Sequence, residues 1–285
     1  MSEDKVANTQ YLFGHSEEET RRLLLQGRLF NPYTRRLLED AGITSGMKVL
    51  DVGSGAGDVT LLAAELVGPH GTVVGADSNP MILETARKRV QAAGLKNTSF
   101  VVADISQLAL DEDFDAVVGR CVLFFLSDPA AVLRRLRSHL HPGGIVAFQE
   151  PGNATLRPDA LPPSPLLEQI WEWVMETYRR AGMDLKIGLR LFPLFLEAGL
   201  PAPQMRLDAA VGGGPEWAGY GYIASMLRTL LPLIVKFGVA TGEEVDIGTF
   251  EERLRDEVVS QGGVVTTWSF ITAWARLTPT GGLPS

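Results

Sequence analysis

Five short runs rich in Val, Ile and Phe lie between Lys48 and Glu150: "KVLDV", "GTVVGAD", "TSFVVAD", "FDAVVGR" and "IVAFQE". Amphipathic helical segments separate most of them. Strands that are apolar throughout must be buried on both faces, and a helix between two strands returns the chain to start a parallel neighbour. The order therefore specifies an α/β fold with a parallel sheet covered on both sides. Asp58 to Val67 sets Val59, Leu62, Ala63 and Leu66 at helical spacing. Pro80 opens the next helix and Gly94 follows its end. Asp128-Pro129 opens a third, with Val132, Leu133, Leu136 and Leu140 facing inward, and "HPGG" ends it. Before this unit, Glu17 to Leu25 and Tyr33 to Ala41 read as two short helices, with Ser16 as a cap. After it, the proline-rich "PGNATLRPDALPPSP" breaks regular structure. Helices are then expected near Leu166–Ala181, Leu189–Ala198 and Tyr222–Phe237, and strands over Gln204–Val211 and Val264–Leu277.

In such sheets ligands bind at the carboxyl ends of the strands, near a switch in strand order. The positions of interest are thus Asp51 to Gly57, Asp77, Asp104, Arg120 and Glu150. "DVGSGAGD" places Gly53, Gly55 and Gly57 within five residues. Glycine costs backbone entropy, so the cluster marks positive φ or close approach by a ligand. A dinucleotide loop wants G-x-G-x-x-G, but position 58 is Asp; a phosphate-binding Gly-Lys-Ser/Thr is absent. The loop therefore suits a ligand without pyrophosphate, offering its backbone to an amino-acid moiety and a ribose. Asp77 can accept from both ribose hydroxyls, or cap the helix that follows. Asp104 can accept from an exocyclic adenine amine, or cap a turn. Met81 and Ile105 offer apolar surface to the two faces of a flat base, or belong to the core. At successive strand ends these residues point together to one nucleoside site.

Charge narrows the partners. The chain has 34 acidic and 26 basic residues, a net charge of −8. Such a surface repels a phosphate backbone, so nucleic acid is not an expected partner. Cys121 is the only cysteine, which excludes an internal disulfide and a zinc–cysteine cluster. "MSEDKVANTQ" lacks the apolar core of a signal peptide, and no apolar run reaches spanning length. A cytoplasmic protein without membrane contact is expected.

"VLDVGSGAGDVTLLAAEL", "VVGADSNPMILETARKRV", "SFVVADISQLAL" and "FDAVVGRCVLFFLSDPAAVLRRLRSHLHPGGIVAFQE" resemble, in order, the motifs of class I S-adenosylmethionine-dependent methyltransferases. The resemblance covers Ile43 to Glu150. The segments "YLFGHSEEETRRLLLQGRLFNPYTRRLLEDAGI" and "GMDLKIGLRLFPLFLEAGL" are similar to the bacterial small-molecule branch, including the quinone-methylating group. The resemblance implies an α/β, Rossmann-like, doubly wound sheet of seven strands with the last antiparallel. It implies residues 1–42 as an N-terminal helical lid and 43–150 as the S-adenosylmethionine-binding core. Residues 151–285 would carry helical substrate-binding insertions and the last two strands. Gly53 and Gly55 would lie against the methionine part, Asp77 at the ribose, Met81 and Ile105 on either side of adenine, and Asp104 at its amine. The Arg120 backbone would meet the methionine amino group, and Tyr11 its carboxylate.

Methyl transfer from a sulfonium is an in-line displacement, so the protein mainly has to align the reactants. The Asn/Asp-Pro-Pro-Tyr/Phe motif of base methylation is missing; "GRCVLF" stands in its place. The carboxylates that hold magnesium in catechol enzymes are missing too, so no metal is expected. Trp171, Trp173, Tyr178, Trp217, Tyr220 and Tyr222 could line an apolar acceptor pocket, or serve as core. His15, beside Tyr11, is a candidate base or a solvated lid residue, and Glu150 is expected to face the cleft. The expected activity is methyl transfer to a small, largely apolar or aromatic molecule, by a monomer or homodimer. The alternative is a methyltransferase-fold protein that holds the cofactor structurally, catalysing another reaction or acting as a binding module.

Overall fold

The computed structural model describes residues 17–110, 113–153 and 157–278. Tyr11, His15 and Ser16 lie outside the described residues. The chain begins with helix α1 (Glu17–Ala41) and continues through β1 (Lys48–Val52), α2 (Asp58–Val67), β2 (Thr72–Asp77), α3 (Pro80–Ala92), β3 (Thr98–Val102), β4 (Phe114–Arg120), α4 (Pro129–Arg137) and β5 (Leu140–Pro151). Beyond these come β6 (Ala160–Leu161), α5 (Pro165–Arg180), α6 (Ile187–Glu197), β7 (Gln204–Gly213), α7 (Gly219–Lys236), α8 (Gly242–Val245), α9 (Phe250–Ser260) and β8 (Val264–Arg276).

The strands form one mixed sheet in the order β3-β2-β1-β4-β5-β8. The first five are parallel, whereas β8 runs antiparallel to β5, to β7 and to the two-residue β6. The sheet is thus the expected seven strands with an antiparallel last strand, plus one short bridge. Alternate residues of each strand feed two cores. Val49, Val73, Ala116, Val118, Ile145 and Ala147 pack under α2 with Leu37 and Leu38 of α1. Leu50, Val52, Val117, Val146 and Phe148 enter the larger core, which includes residues of α4, α5, α6 and α7. Strand order reverses between β1 and β4, which sets the crevice at the end of β1.

Three local expectations are corrected. The two N-terminal helices are one helix, with Pro32 inside it. Proline removes one backbone N–H and disfavours a helix interior, but packing overrides that preference. Tyr33 Oη donates to Ala209 O (3.1 Å), and Thr34 Oγ1 donates to Gln149 Oε1 (2.6 Å). "HPGG" does not end α4, which stops at Arg137. It belongs to β5, where Leu140 pairs with Phe114 across a register shift. Finally, α8 and α9 were not anticipated, although Thr241 and Glu244 form a reciprocal capping box whose T-x-x-E spacing is visible in the sequence. Among the described residues, no helix is long and apolar enough to cross a membrane.

Candidate functional site

The glycine loop after β1 is built from left-handed turns. Gly53, Gly55 and Gly57 have φ of 62°, 50° and 83°, values that L side chains rarely adopt. Crowding adds to this at Gly53, where a Cβ would lie 2.5 Å from Val122 Cγ2. At Gly55 a Cβ would make only ordinary contact, with Leu23 Cδ1 of α1 at 3.7 Å, so the left-handed φ rather than crowding selects glycine there. The loop is tied to the end of β2, because Gly55 N–H donates to Asp77 Oδ2 (2.9 Å). Asp77 Oδ1 accepts from Asn79 N–H (2.9 Å), and Asn79 in turn caps α3. Asp104 caps the single turn Ile105–Gln107 by accepting from Ser106 N–H (2.8 Å). Both aspartates therefore have the structural duty that the sequence allowed them. An ionised carboxylate offers about four acceptor sites, so each retains capacity for a ligand.

Helix α1 roofs this loop at close range. A Cβ on Gly27 would sit 2.4 Å from Asp58 Oδ1, so only glycine lets the helix approach. Asp58 is paired with Arg89 (2.9 Å) and lies 3.8 Å from Arg120. The Arg120 side chain is 6% exposed and donates to Asn31 Oδ1 (3.0 Å) and Thr34 Oγ1 (3.1 Å) of α1. Its guanidinium thus pins the roof to the end of β4.

The segment after β4 forms another wall. Cys121 has φ of 56°, a left-handed conformation unusual for a residue with a side chain. Glu150 explains how that turn is held. Its carboxylate, 0% exposed, accepts from the N–H groups of Val122 (3.0 Å), Leu123 (2.9 Å) and Phe124 (3.1 Å). The expectation that Glu150 faces the cleft is therefore corrected: its oxygens are occupied by backbone donors that need an acceptor. Cys121 is not an activated thiol, since burial pushes its pKa up to about 12.

These elements enclose a cavity of about 590 Å³, within the range of small-molecule sites. Gly53, Gly55, Asp77, Met81, Asp104, Ile105 and Arg120 all line it. Met81 is 72% exposed, an apolar side chain left at the rim rather than in the core. Glu19, Arg22 and Gln26 line it from α1. Arg22 donates to both Glu19 oxygens (2.7 Å each) and to Gln26 Oε1 (2.7 Å). The aromatic expectation holds in part: Tyr178 and Tyr222 line the cavity. Trp171, Trp173, Trp217 and Tyr220 are not among its lining residues. Trp217 instead covers Gly212 and Gly219 and packs edge-on against Tyr220. Trp268 of β8 and Phe124, in the turn after β4, line the cavity and were missed, because local pattern does not reveal which apolar side chain meets a cavity. His139 Nε2 lies 3.4 Å from Leu108 O, and neither His139 nor His141 lines the cavity.

Asp51, 1% exposed, accepts from Thr60 Oγ1 (2.5 Å), while its other oxygen has no partner among the described residues. Burial raises its pKa to about 7, with Thr60 and Arg120 pulling the other way. The unfolded chain releases this proton near pH 4. Between about pH 4 and about pH 7 the folded chain binds more protons, so this contribution to stability is complete below that window and lost as pH rises through it. Asp51→Asn should consequently gain stability relative to wild type as pH rises across the window. Urea unfolding of both proteins at several pH values checks this, and a pH-independent difference contradicts it.

A family model described as "Methyltransferase domain" matches residues 43–181. Aklanonic acid methyltransferase DauC of Streptomyces sp. (strain C5) is 36% identical over 154 residues, covering 53% of this chain and 70% of that protein. The ubiquinone/menaquinone biosynthesis C-methyltransferase UbiE of Ectopseudomonas mendocina (strain ymp) is 36% identical over 138 residues; the match covers 47% of this chain and 54% of that protein. Among solved structures, a candidate methyltransferase of Bacillus halodurans C-125 superposes with a TM-score of 0.57 at 19% identity, covering 86% of this chain and 98% of that one.

Proposed function

Because the chain belongs to the S-adenosylmethionine-dependent methyltransferases, we propose that this cavity holds that cofactor beside a small, largely apolar or aromatic acceptor and aligns the two for in-line transfer. The observation that carries the reading is the meeting, in one cavity, of the left-handed glycine loop, the carboxylates ending β2 and β3, and an aromatic wall. In this reading the loop backbone at Gly53 and Gly55 takes the methionine part. Asp77 takes the ribose hydroxyls, Met81 and Ile105 flank the base, and Asp104 accepts from its amine. The Arg120 backbone and, beyond the described residues, Tyr11 serve the amino-acid end. The bound cofactor supplies a methyl already activated by a sulfonium. The chain's own part is to orient the acceptor against it and to keep water out with α1. His15, outside the described residues, is proposed as a base only for an acceptor that must lose a proton. The names of the two relatives, one for aklanonic acid and one for ubiquinone/menaquinone biosynthesis, support an oxygenated aromatic or quinone-like acceptor.

Calorimetry should show binding of S-adenosylhomocysteine and none of NAD, since Asp58 stands where a pyrophosphate loop continues. Binding of NAD alone contradicts the reading. Among the described residues no group of three or more His, Cys, Asp or Glu could hold a metal ion. Methyl transfer should therefore persist in EDTA, and magnesium-restored activity after chelation would contradict a metal-independent site.

A further inference from the structure

The aromatic wall contains two polar atoms that the described residues leave unsatisfied. Tyr222, 0% exposed, and Trp268, 2% exposed, both line the cavity. Among the described residues, neither the Tyr222 hydroxyl nor the Trp268 indole N–H has a hydrogen-bond partner, and both are shielded from water. Their rings meet edge-on, with centroids 6.4 Å apart and planes at 88°. The charges that reach the Tyr222 hydroxyl belong to Arg22, Cys121, Arg120 and Glu19, all of which line the cavity too. These side chains and the Tyr222 ring thus border the same cavity.

Leaving a buried donor unpaired is costly, whereas a phenylalanine at position 222 would fill similar space without that cost. Protein interiors satisfy almost all such groups. Two unpaired donors on neighbouring rings of one cavity wall are explained if their partner arrives with a ligand. Indole N–H only donates, and burial raises the pKa of the Tyr222 hydroxyl, which stays protonated and able to donate. The partner must then be an acceptor atom. The neighbouring wall is apolar, with Phe124, Met226 and Phe270, which suits the faces of a flat ring system.

We propose that Tyr222 and Trp268 are specificity-determining donors that bind a carbonyl or ionised hydroxyl oxygen carried by a flat aromatic acceptor. The inference rests on the methyltransferase reading for its neighbour in the cavity, the cofactor. A site built to donate to an oxygen discriminates against the analogue that lacks it, because its own donors are then left unpaired. Removing the donors should erase that discrimination.

The test uses two probes of the same shape, 9-fluorenone and fluorene, which differ by one carbonyl oxygen. Equilibrium dialysis against the full chain saturated with S-adenosylhomocysteine should give about tenfold tighter binding of fluorenone. Tyr222→Phe should remove most of that preference, the loss falling on fluorenone rather than fluorene; Trp268→Phe should narrow the fluorenone-to-fluorene ratio as well, fluorene then serving as the reference for the smaller ring. Unligated Tyr222→Phe should be at least as stable as wild type in thermal unfolding, since the change deletes an unpaired hydroxyl. A wild type that does not prefer fluorenone, or a Tyr222→Phe variant that keeps the preference, overturns the proposal. A less stable unligated Tyr222→Phe also overturns it, by assigning the hydroxyl to the fold. Binding of S-adenosylhomocysteine, measured separately, keeps the two readings apart. Its absence sinks the methyltransferase assignment, whereas its presence with no carbonyl preference sinks only this one.

Discussion

Glu150→Ala is expected to destabilise the protein by about 3–5 kcal/mol, the largest single-residue effect that the site predicts. Three buried backbone N–H groups share this one carboxylate, those of Val122, Leu123 and Phe124. Each costs about 1–3 kcal/mol when left without an acceptor, and the truncation also opens space in a packed region. The same segment carries the left-handed Cys121 and puts Val122 and Phe124 at the cavity wall. Affinity for both ligands should fall along with stability. Glu150→Gln should lose less, because one oxygen remains while the new amide N–H₂ opposes a backbone donor. Urea unfolding followed by circular dichroism gives the comparison. A loss below about 1 kcal/mol for the alanine variant would show that water can replace the carboxylate.

Glu150 also shows where sequence reasoning stops. Its place at the end of β5 is readable, because "IVAFQE" is an apolar run that ends in polar residues. What its side chain does is not, because the donors it serves lie 26 to 28 residues earlier. The parallel core was legible for a local reason: strands buried on both faces and helices with caps announce themselves within a few residues. The glycine loop was legible because left-handed φ selects glycine residue by residue. Helix α1 was misread because Gly27 and Pro32 look like breakers. The close approach to Asp58 that requires Gly27 is a tertiary contact. The aromatic wall was half legible for the same reason. Tyr222 and Trp217 are equally aromatic and five residues apart, yet one lines the cavity and the other covers two glycines. Helical and strand periods tell which residues share a face, not whether that face meets a neighbour or a void.

Asp77→Ala is expected to weaken cofactor binding by one to two decades, about 1.5–3 kcal/mol, if the carboxylate accepts from ribose. The structure complicates this expectation in a useful way. Asp77 already joins the glycine loop to the start of α3 through Gly55 N–H and Asn79 N–H. Removing it loosens the loop as well as deleting a ligand contact, so lost affinity alone does not assign the role. A chemical double-mutant cycle separates the two effects. Wild type and Asp77→Ala are each titrated with S-adenosylhomocysteine and with its 2′,3′-dideoxy analogue. Charge-assisted hydrogen bonds to the hydroxyls make the analogue bind wild type about one to two decades more weakly. They make it bind the variant about as well as the parent compound does. A carboxylate that only braces the loop gives the opposite pattern, in which the substitution weakens both ligands equally. In that case the ribose contact must be reassigned, even though Asp77 remains essential to the shape of the site.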